Sequence, residues 1–369
     1  MGNPRTVAGL LDLRGAAPRF TTMVGTGGIG HGTFFLLEGN ASLGREESRA
    51  GRILDRRDYC KLHIISHYVK GLLGDACAVY PIGRVGDDDA GTRLLREMTD
   101  AGLDLGFVRM LPGAPTLFSF CYLYPDGTGG NMTTADSASG LVDPGAVREA
   151  EEVMARAGAS GIALAVPEVP LAARASLIEA AARHGLFIAA SFTRAEMPEA
   201  RDRGLIGKVD LLAVNLEEAL AAAGLASGHS ADVSRARARG ADTELLARKA
   251  AERIISARPE MIVSITAGAA GSWVGGGDEL RHQPALPVEV AGTSGAGDAH
   301  FAGLLAGLSA GLDLGESQAL AALMGAASVT SPHTIHPGVT RGLLASLIRF
   351  LPGPVSALSV LLDQRGGER

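Results

Sequence analysis

The sequence predicts an α/β fold: a parallel β-sheet covered by helices on both faces, with a small β lid beside it. Three observations predict this. From about residue 161, short aliphatic runs alternate with helical patterns of ten or more residues, the pattern of βαβ units. The first third carries glycine-punctuated, β-like stretches with aromatics: "TTMVGTGG", "GTFFLLEGN" and "TLFSFCYLYPDGTGGN". The 369 residues are 46% hydrophobic and only 4% aromatic, enough for one large α/β domain or two ordinary ones.

The elements follow in chain order. Residues 1–20, punctuated by Gly, Pro and Arg, read as a loose arm, and 21–352 as the folded domain. Parts of about 25–45 and 107–135 supply the lid, with a turn at "PDG" (125–127). "EGNASLGREESRAGR" (38–52) is a closely charged segment. "DYCKLHIISHYVKGLLG" (58–74) spaces Leu62, Ile65, Val69 and Leu72 as a buried helix stripe. "GRVGDDDAG" is a strand end leading into an acid-capped helix. "GIALAV" (161–166), "LFIAAS" (186–191), "DLLAVN" (210–215) and "MIVSIT" (261–266) are strands. Helices follow or precede them at 171–184, at "LEEALAAAG" and at 242–257. The polar stretch 225–243 lacks a period and reads as an exposed insertion. Residues 353–369 form a helix-like tail that frays at "DQRGGER", and no internal repeat occurs.

Composition excludes several classes. The net charge is −6 with no Lys/Arg block, so a nucleic-acid or anionic-membrane partner has no electrostatic support. Cys60, Cys77 and Cys121 are far apart without a C-x-x-C, which points to buried thiols rather than a disulfide framework or zinc site. No apolar run approaches the roughly 20 residues of a membrane span, and no secretory leader pattern opens the chain. The expectation is a cytoplasmic protein acting on a small molecule. The 50 glycines have no period, so collagen-like and low-complexity readings fail.

The stretch that carries chemistry is "AGTSGAGDAHFAG" (291–303). A helix N-terminus has unpaired N–H groups and about half a positive charge, and glycines let an anion approach them closely. Gly295, Ala296 and Gly297 would supply such donors, and Asp298 would sit in the first helical turn beside the anion. A carboxylate there is placed to accept a proton from an attacking hydroxyl, which is most of what phosphoryl transfer needs besides positioning and charge neutralisation. Two plainer readings compete: a simple helix cap, and the G-x-S-x-G elbow of hydrolases with Ser294 as nucleophile, which "GTSGA" misses at its last position. "GTGGIG" (25–30) fits a dinucleotide fingerprint, but "HGTFFLLEGN" continues as a strand and not as the required helix. No Walker A loop is present.

Four motifs occur in order: "IGRVGDDDAGTRLLREMTDAGLD" (82–104), "VNLEEA" (214–219), "VSITAGAAGSWV" (263–274) and "GTSGAGD". Together they resemble the ribokinase-like, or pfkB, family of carbohydrate and nucleoside kinases over roughly residues 76–340. The resemblance implies a doubly wound, mostly parallel sheet with a β lid, use of ATP and Mg²⁺, and phosphorylation of a hydroxyl. It implies Asp298 as catalytic base and Gly295, Ala296 and Gly297 as anion hole. Asn215 and Glu218 fall on the pair that orders magnesium through water, and Thr266, Gly268, Gly271 and Ser294 border the nucleotide. "VTSPHTIHPG" (329–338) falls where the family closes the adenine pocket. Pairing through lids, hence a homodimer, is also implied. Apart from the resemblance, Glu218 lies three residues after the strand-ending Asn215, where a carboxylate can organise a hydrated magnesium.

Departures matter. Gly292 stands where the family has an Asp that helps hold a monovalent cation, which puts potassium activation in doubt. His300 replaces a common aromatic. In place of the family's Gly-Gly…Asn grip on the sugar, the candidates for acceptor contact are His31, Asn40, Arg45, His67 and Asn131, with Lys61, His63 and Ser66 on the 58–74 helix. Alternatives to a sugar kinase are a nucleoside kinase and a non-catalytic scaffold that binds a metabolite.

Overall fold

The computed structural model describes residues 8–14, 17–126, 129–225, 240–277, 279–353 and 355–363. The parallel strands are continuous apolar runs because both sheet faces are covered. The main sheet contains β1 (Thr22–Thr26), β4 (Ala78–Gly86), β5 (Phe107–Leu111), β8 (Gly161–Ala165), β9 (Phe187–Ala190), β10 (Leu211–Asn215), β11 (Ile262–Thr266), β12 (Ser272–Gly276) and β13 (Glu279–Gln283). Their order is β13-β12-β11-β10-β9-β8-β1-β4-β5, parallel except at β11/β12 and β12/β13. The chain builds outward from β1 to β5 on one side and from β8 to β13 on the other, a doubly wound topology. Its crevice lies at the carboxyl ends of β1 and β8, where such sheets bind ligands.

One face carries the helices Lys61–Leu73, Ala296–Ser309 and Leu314–Val329; the other carries Leu171–His184, Leu216–Ala222 and Gly240–Ile255. The expected stripe Leu62, Ile65, Val69 and Leu72 is buried. Ala296–Ser309 is apolar all round, and every residue from Ala299 to Ser309 is buried, as expected of a helix enclosed on all sides.

The second sheet is the lid: β2 (Gly30–Leu37), β3 (Gly51–Tyr59), β6 (Leu117–Leu123) and β7 (Gly129–Thr133), in the order β3-β2-β6-β7. Two boundaries differ from expectation. Phe107–Leu111 is the edge of the main sheet and not lid, and Gly51–Tyr59 is a lid strand, so the helix starts only at Lys61. β3 is an edge strand with charges on both faces, which guards an open edge but hides the period-2 signal.

The described part of the expected loose arm is pinned. Leu10 and Leu11 N–H donate to the Gly71 and Leu72 carbonyls at 3.0 and 2.9 Å, and Leu11 and Phe20 are buried. The tail docks through buried Leu358 and Leu362. Most of the expected insertion, residues 226–239, lies outside the described residues. Cys60, Cys77 and Cys121 are free and buried. No helix among the described residues is long and apolar enough to cross a membrane.

Candidate active site

The site is built where β1, β8, β10 and β11 end. Helix Ala296–Ser309 starts at Gly295, which has φ 80 and no side-chain cap. A Cβ at Gly295 would stand 2.7 Å from the Thr334 carbonyl oxygen, so both the left-handed backbone and the close neighbour require glycine. Ala296 N–H donates to the Thr293 carbonyl at 3.3 Å, whereas the amides of Gly295, Gly297 and Asp298 have no partner among the described residues. The open donors therefore flank Ala296, because its own amide closes a turn.

Asp298 sits in the first turn with its side chain 14% exposed, and its Oδ1 receives Lys61 Nζ at 3.0 Å. No partner of Oδ2 is found among the described residues. Asp298, Glu168 and Glu218 surround Lys61, and Asp298 above all raises the Lys61 pKa. Glu168 follows β8 and is the one described non-glycine residue with positive φ, at 77°. Its Oε2 accepts the Lys61 backbone N–H at 3.0 Å, and burial lifts its carboxyl to about 7. Asp58, on the lid, is also raised by burial.

Asn215 caps helix Leu216–Ala222: its side chain accepts from Glu218 N–H at 3.0 Å while Glu218 Oε2 accepts from Asn215 N–H at 2.9 Å. Burial raises the Glu218 carboxyl. Glu218, Asn215, Thr266, Lys61 and Asp298 line a small cavity of about 80 Å³. It opens beside a cleft of about 470 Å³ bordered by Thr266, Gly268, Gly271, Thr293 and the Gly295–Asp298 turn. Ser294 is not among the cleft's lining residues; its neighbour Thr293 is. His300 borders both spaces, its Nε2 has no partner among the described residues, and burial lowers it to about 4, so the ring is neutral.

Residues 67–341 match the model of the pfkB family carbohydrate kinases. The chain belongs to the pfkB family. That places it among the carbohydrate kinases. Its fold is similar to that of a ribokinase from Giardia lamblia, at TM-score 0.69 and 18% identity over 88% of this chain and 99% of that one. It is also similar to Arabidopsis thaliana ribokinase, solved with ribose and ATP, at TM-score 0.67, 19% identity and 90% and 99% coverage. Burkholderia thailandensis nucleoside kinase, solved with inosine, matches at TM-score 0.67, 19% identity and 89% and 97% coverage.

In this pfkB-family chain, the candidates for acceptor contact do not converge. Gly30 and Gly32 point from β2 at Cys60 and Asp58, where a Cβ would come within 2.8 and 2.4 Å of Sγ and Oδ2. His31 therefore takes the opposite face of the strand, its ring 5.2 Å from Phe118. Asn40 Oδ1 braces a loop by accepting Asp126 N–H at 3.0 Å, and Arg45 is exposed in the same charged segment. His67 packs 6.1 Å from His63, held neutral by burial, and neither borders the two cavities; of the helix candidates only Lys61 does. Asn131 stays on the lid's inner face, where Ser119 Oγ donates to its Oδ1 at 2.8 Å.

Sequence reasoning missed Glu168, Asp58 and Thr334. Glu168 had a signal: an acid flanked by prolines in "VPEVP", directly after a strand's carboxyl end. Its raised pKa has a consequence for this pfkB-family protein. The folded state holds the proton more tightly than the unfolded chain, so stability is fully present below about pH 4.5 and falls as pH rises through about 7. Glu168→Gln should flatten that slope, removing up to about 2 kcal/mol of pH dependence, since the residue is only partly buried. Thermal unfolding of both proteins from pH 5 to 8 checks this; parallel curves would refute it.

Proposed function

We propose that the protein transfers the γ-phosphoryl group of ATP to a hydroxyl of a small sugar-like metabolite. The observation that carries this is Asp298, with Oδ1 held by Lys61 and Oδ2 open, at a helix N-terminus with free amides. The acceptor hydroxyl loses its proton to Asp298 Oδ2 as its oxygen bonds the γ-phosphorus. The bond from that phosphorus to the β,γ-bridging oxygen breaks, and ADP leaves. The amides of Gly295, Gly297 and Asp298 supply donors for the charge on the migrating group. The Lys61 ammonium, donating to Oδ1, fixes the carboxylate in place.

Among the described residues no group of three or more His, Cys, Asp or Glu side chains could hold a metal ion. The single carboxylate of Glu218 at the small cavity suits magnesium, which keeps most of its waters and takes the rest of its ligands from phosphates. Glu218 would hold it through water, beside Asn215, and bound magnesium would neutralise phosphate charge. The lid excludes water from the closed site. The lid's outer face leaves Ile53 69% and Met132 55% exposed beside Phe35 and Phe120, and there we place a homodimer contact; a monomer by light scattering would remove it.

The test is a panel of sugars, cyclitols and nucleosides with ATP and magnesium, read as ADP release. Release that depends on one acceptor class is expected. A nucleoside hit would favour the nucleoside-kinase reading, and no release with any acceptor would favour a metabolite-binding scaffold.

A further inference from the structure

Lid and catalytic loop are joined by a shared strut. Beside β3, outside the lid sheet, runs the segment 331–336. Tyr59 N–H donates to Thr334 Oγ1 at 2.9 Å, Thr334 N–H to the Arg57 carbonyl at 3.1 Å, and Arg57 N–H to His333 Nδ1 at 2.9 Å. The segment's other side bears on the catalytic loop. The Thr334 carbonyl oxygen and Cβ lie 2.7 and 3.0 Å from where a Cβ on Gly295 would stand, and the Ser331 carbonyl oxygen lies 3.3 Å from the same point on Gly292. Gly292 N–H donates to the Val329 carbonyl at 3.2 Å, which ties the loop to the helix end just before the segment. Tyr68 O–H donates to the Thr334 carbonyl at 3.4 Å and accepts His336 N–H at 2.7 Å, anchoring the segment to helix Lys61–Leu73. Thr334 is 1% exposed.

We propose that residues 331–336 are a coupling strut linking lid position to occupancy of the nucleotide cleft, with Thr334 as its positioning residue. One side of Thr334 is bonded to the lid's edge strand β3, and the other touches the N-cap of the helix that carries Asp298. A nucleotide that draws the Gly295–Asp298 turn toward its phosphates shifts the surface on which Thr334 rests, and the hydrogen bonds from the segment to β3 carry the shift to the lid. Packed contacts of this closeness move together and do not deform independently. The coupling rests on the nucleotide reading of the cleft. It adds that the lid responds to nucleotide even without an acceptor.

Hydrogen exchange of the full chain, with and without magnesium and the non-hydrolysable ATP analogue AMP-PNP, tests it. In the wild type the analogue should slow exchange at 266–271 and also at 51–59, the latter on the order of 5-fold or more. Thr334→Val keeps the branched shape but removes the oxygen that accepts Tyr59 N–H. It should retain slowing at 266–271 while losing most of it at 51–59, and Thr334→Ser should restore it. A merely structural Thr334 would lower protection of 51–59 equally with and without analogue, and that unchanged ratio overturns the proposal. Wild-type slowing confined to 266–271 overturns the strut and spares the nucleotide reading; slowing at neither site removes both.

Discussion

Asp298→Asn is expected to lower phosphoryl transfer by about 10²- to 10⁴-fold while leaving nucleotide binding nearly unchanged. The amide matches the carboxylate in shape but cannot take the acceptor's proton. The helix N-terminus and its free amides are backbone features and survive the change. The Lys61 ammonium loses its closest counter-ion, yet Glu168 and Glu218 still surround it, so the half-buried cation remains compensated and the fold should hold. ADP release with the acceptor found by the panel, together with calorimetric titration of nucleotide, separates the two quantities. An Asn variant of wild-type activity would remove Asp298 as the base.

Gly295→Ala should damage both stability and activity. The left-handed backbone alone costs a residue with a Cβ about 1–2 kcal/mol. The new methyl would then stand 2.7 Å from the Thr334 carbonyl oxygen, a backbone atom that cannot rotate away. A combined loss of roughly 2–4 kcal/mol follows, with the turn that presents the amides displaced. Gly297→Ala is the contrasting control. Its φ is not positive, and the nearest atom to its Cβ is Thr266 Oγ1 at 3.8 Å, so it should fold normally and lose only nucleotide affinity. Thermal unfolding of the pair decides: equal stabilities would refute the role given to Gly295.

Several elements were readable before any coordinates. The strands at 161–166, 210–215 and 261–266 and the helix at 171–184 fall within a residue or two of their observed bounds, because apolar runs between turn residues have few other ways to bury themselves. The glycine loop and the Asn215/Glu218 pair at a strand end and helix start were equally legible; that the pair forms a capping box came from the structure. The lid was harder. β3 carries Arg52, Asp55, Arg56 and Arg57 along an edge strand, so its pairing with β2 leaves no alternation to read. The acceptor candidates failed for a related reason: a glycine-rich context says that something comes close, not which face of a strand meets it. His31 and Gly32 are adjacent, yet only Gly32 faces Asp58.

By itself the sequence determined the α/β class, the family motifs and the residues of the turn that presents Asp298. These depend on consecutive residues: a cap, a left-handed glycine and a helix dipole are properties of a few neighbouring peptide units. Only the tertiary structure decided that Lys61 pairs with Asp298, 237 positions away, that Glu168 bonds the Lys61 amide across 107 positions, and that Thr334 bears on the lid at Tyr59 across 275. Those contacts come from the order in which the strands are laid down around the crevice. No short-range pattern encodes that order, because it is chosen by burying both faces of one sheet at once.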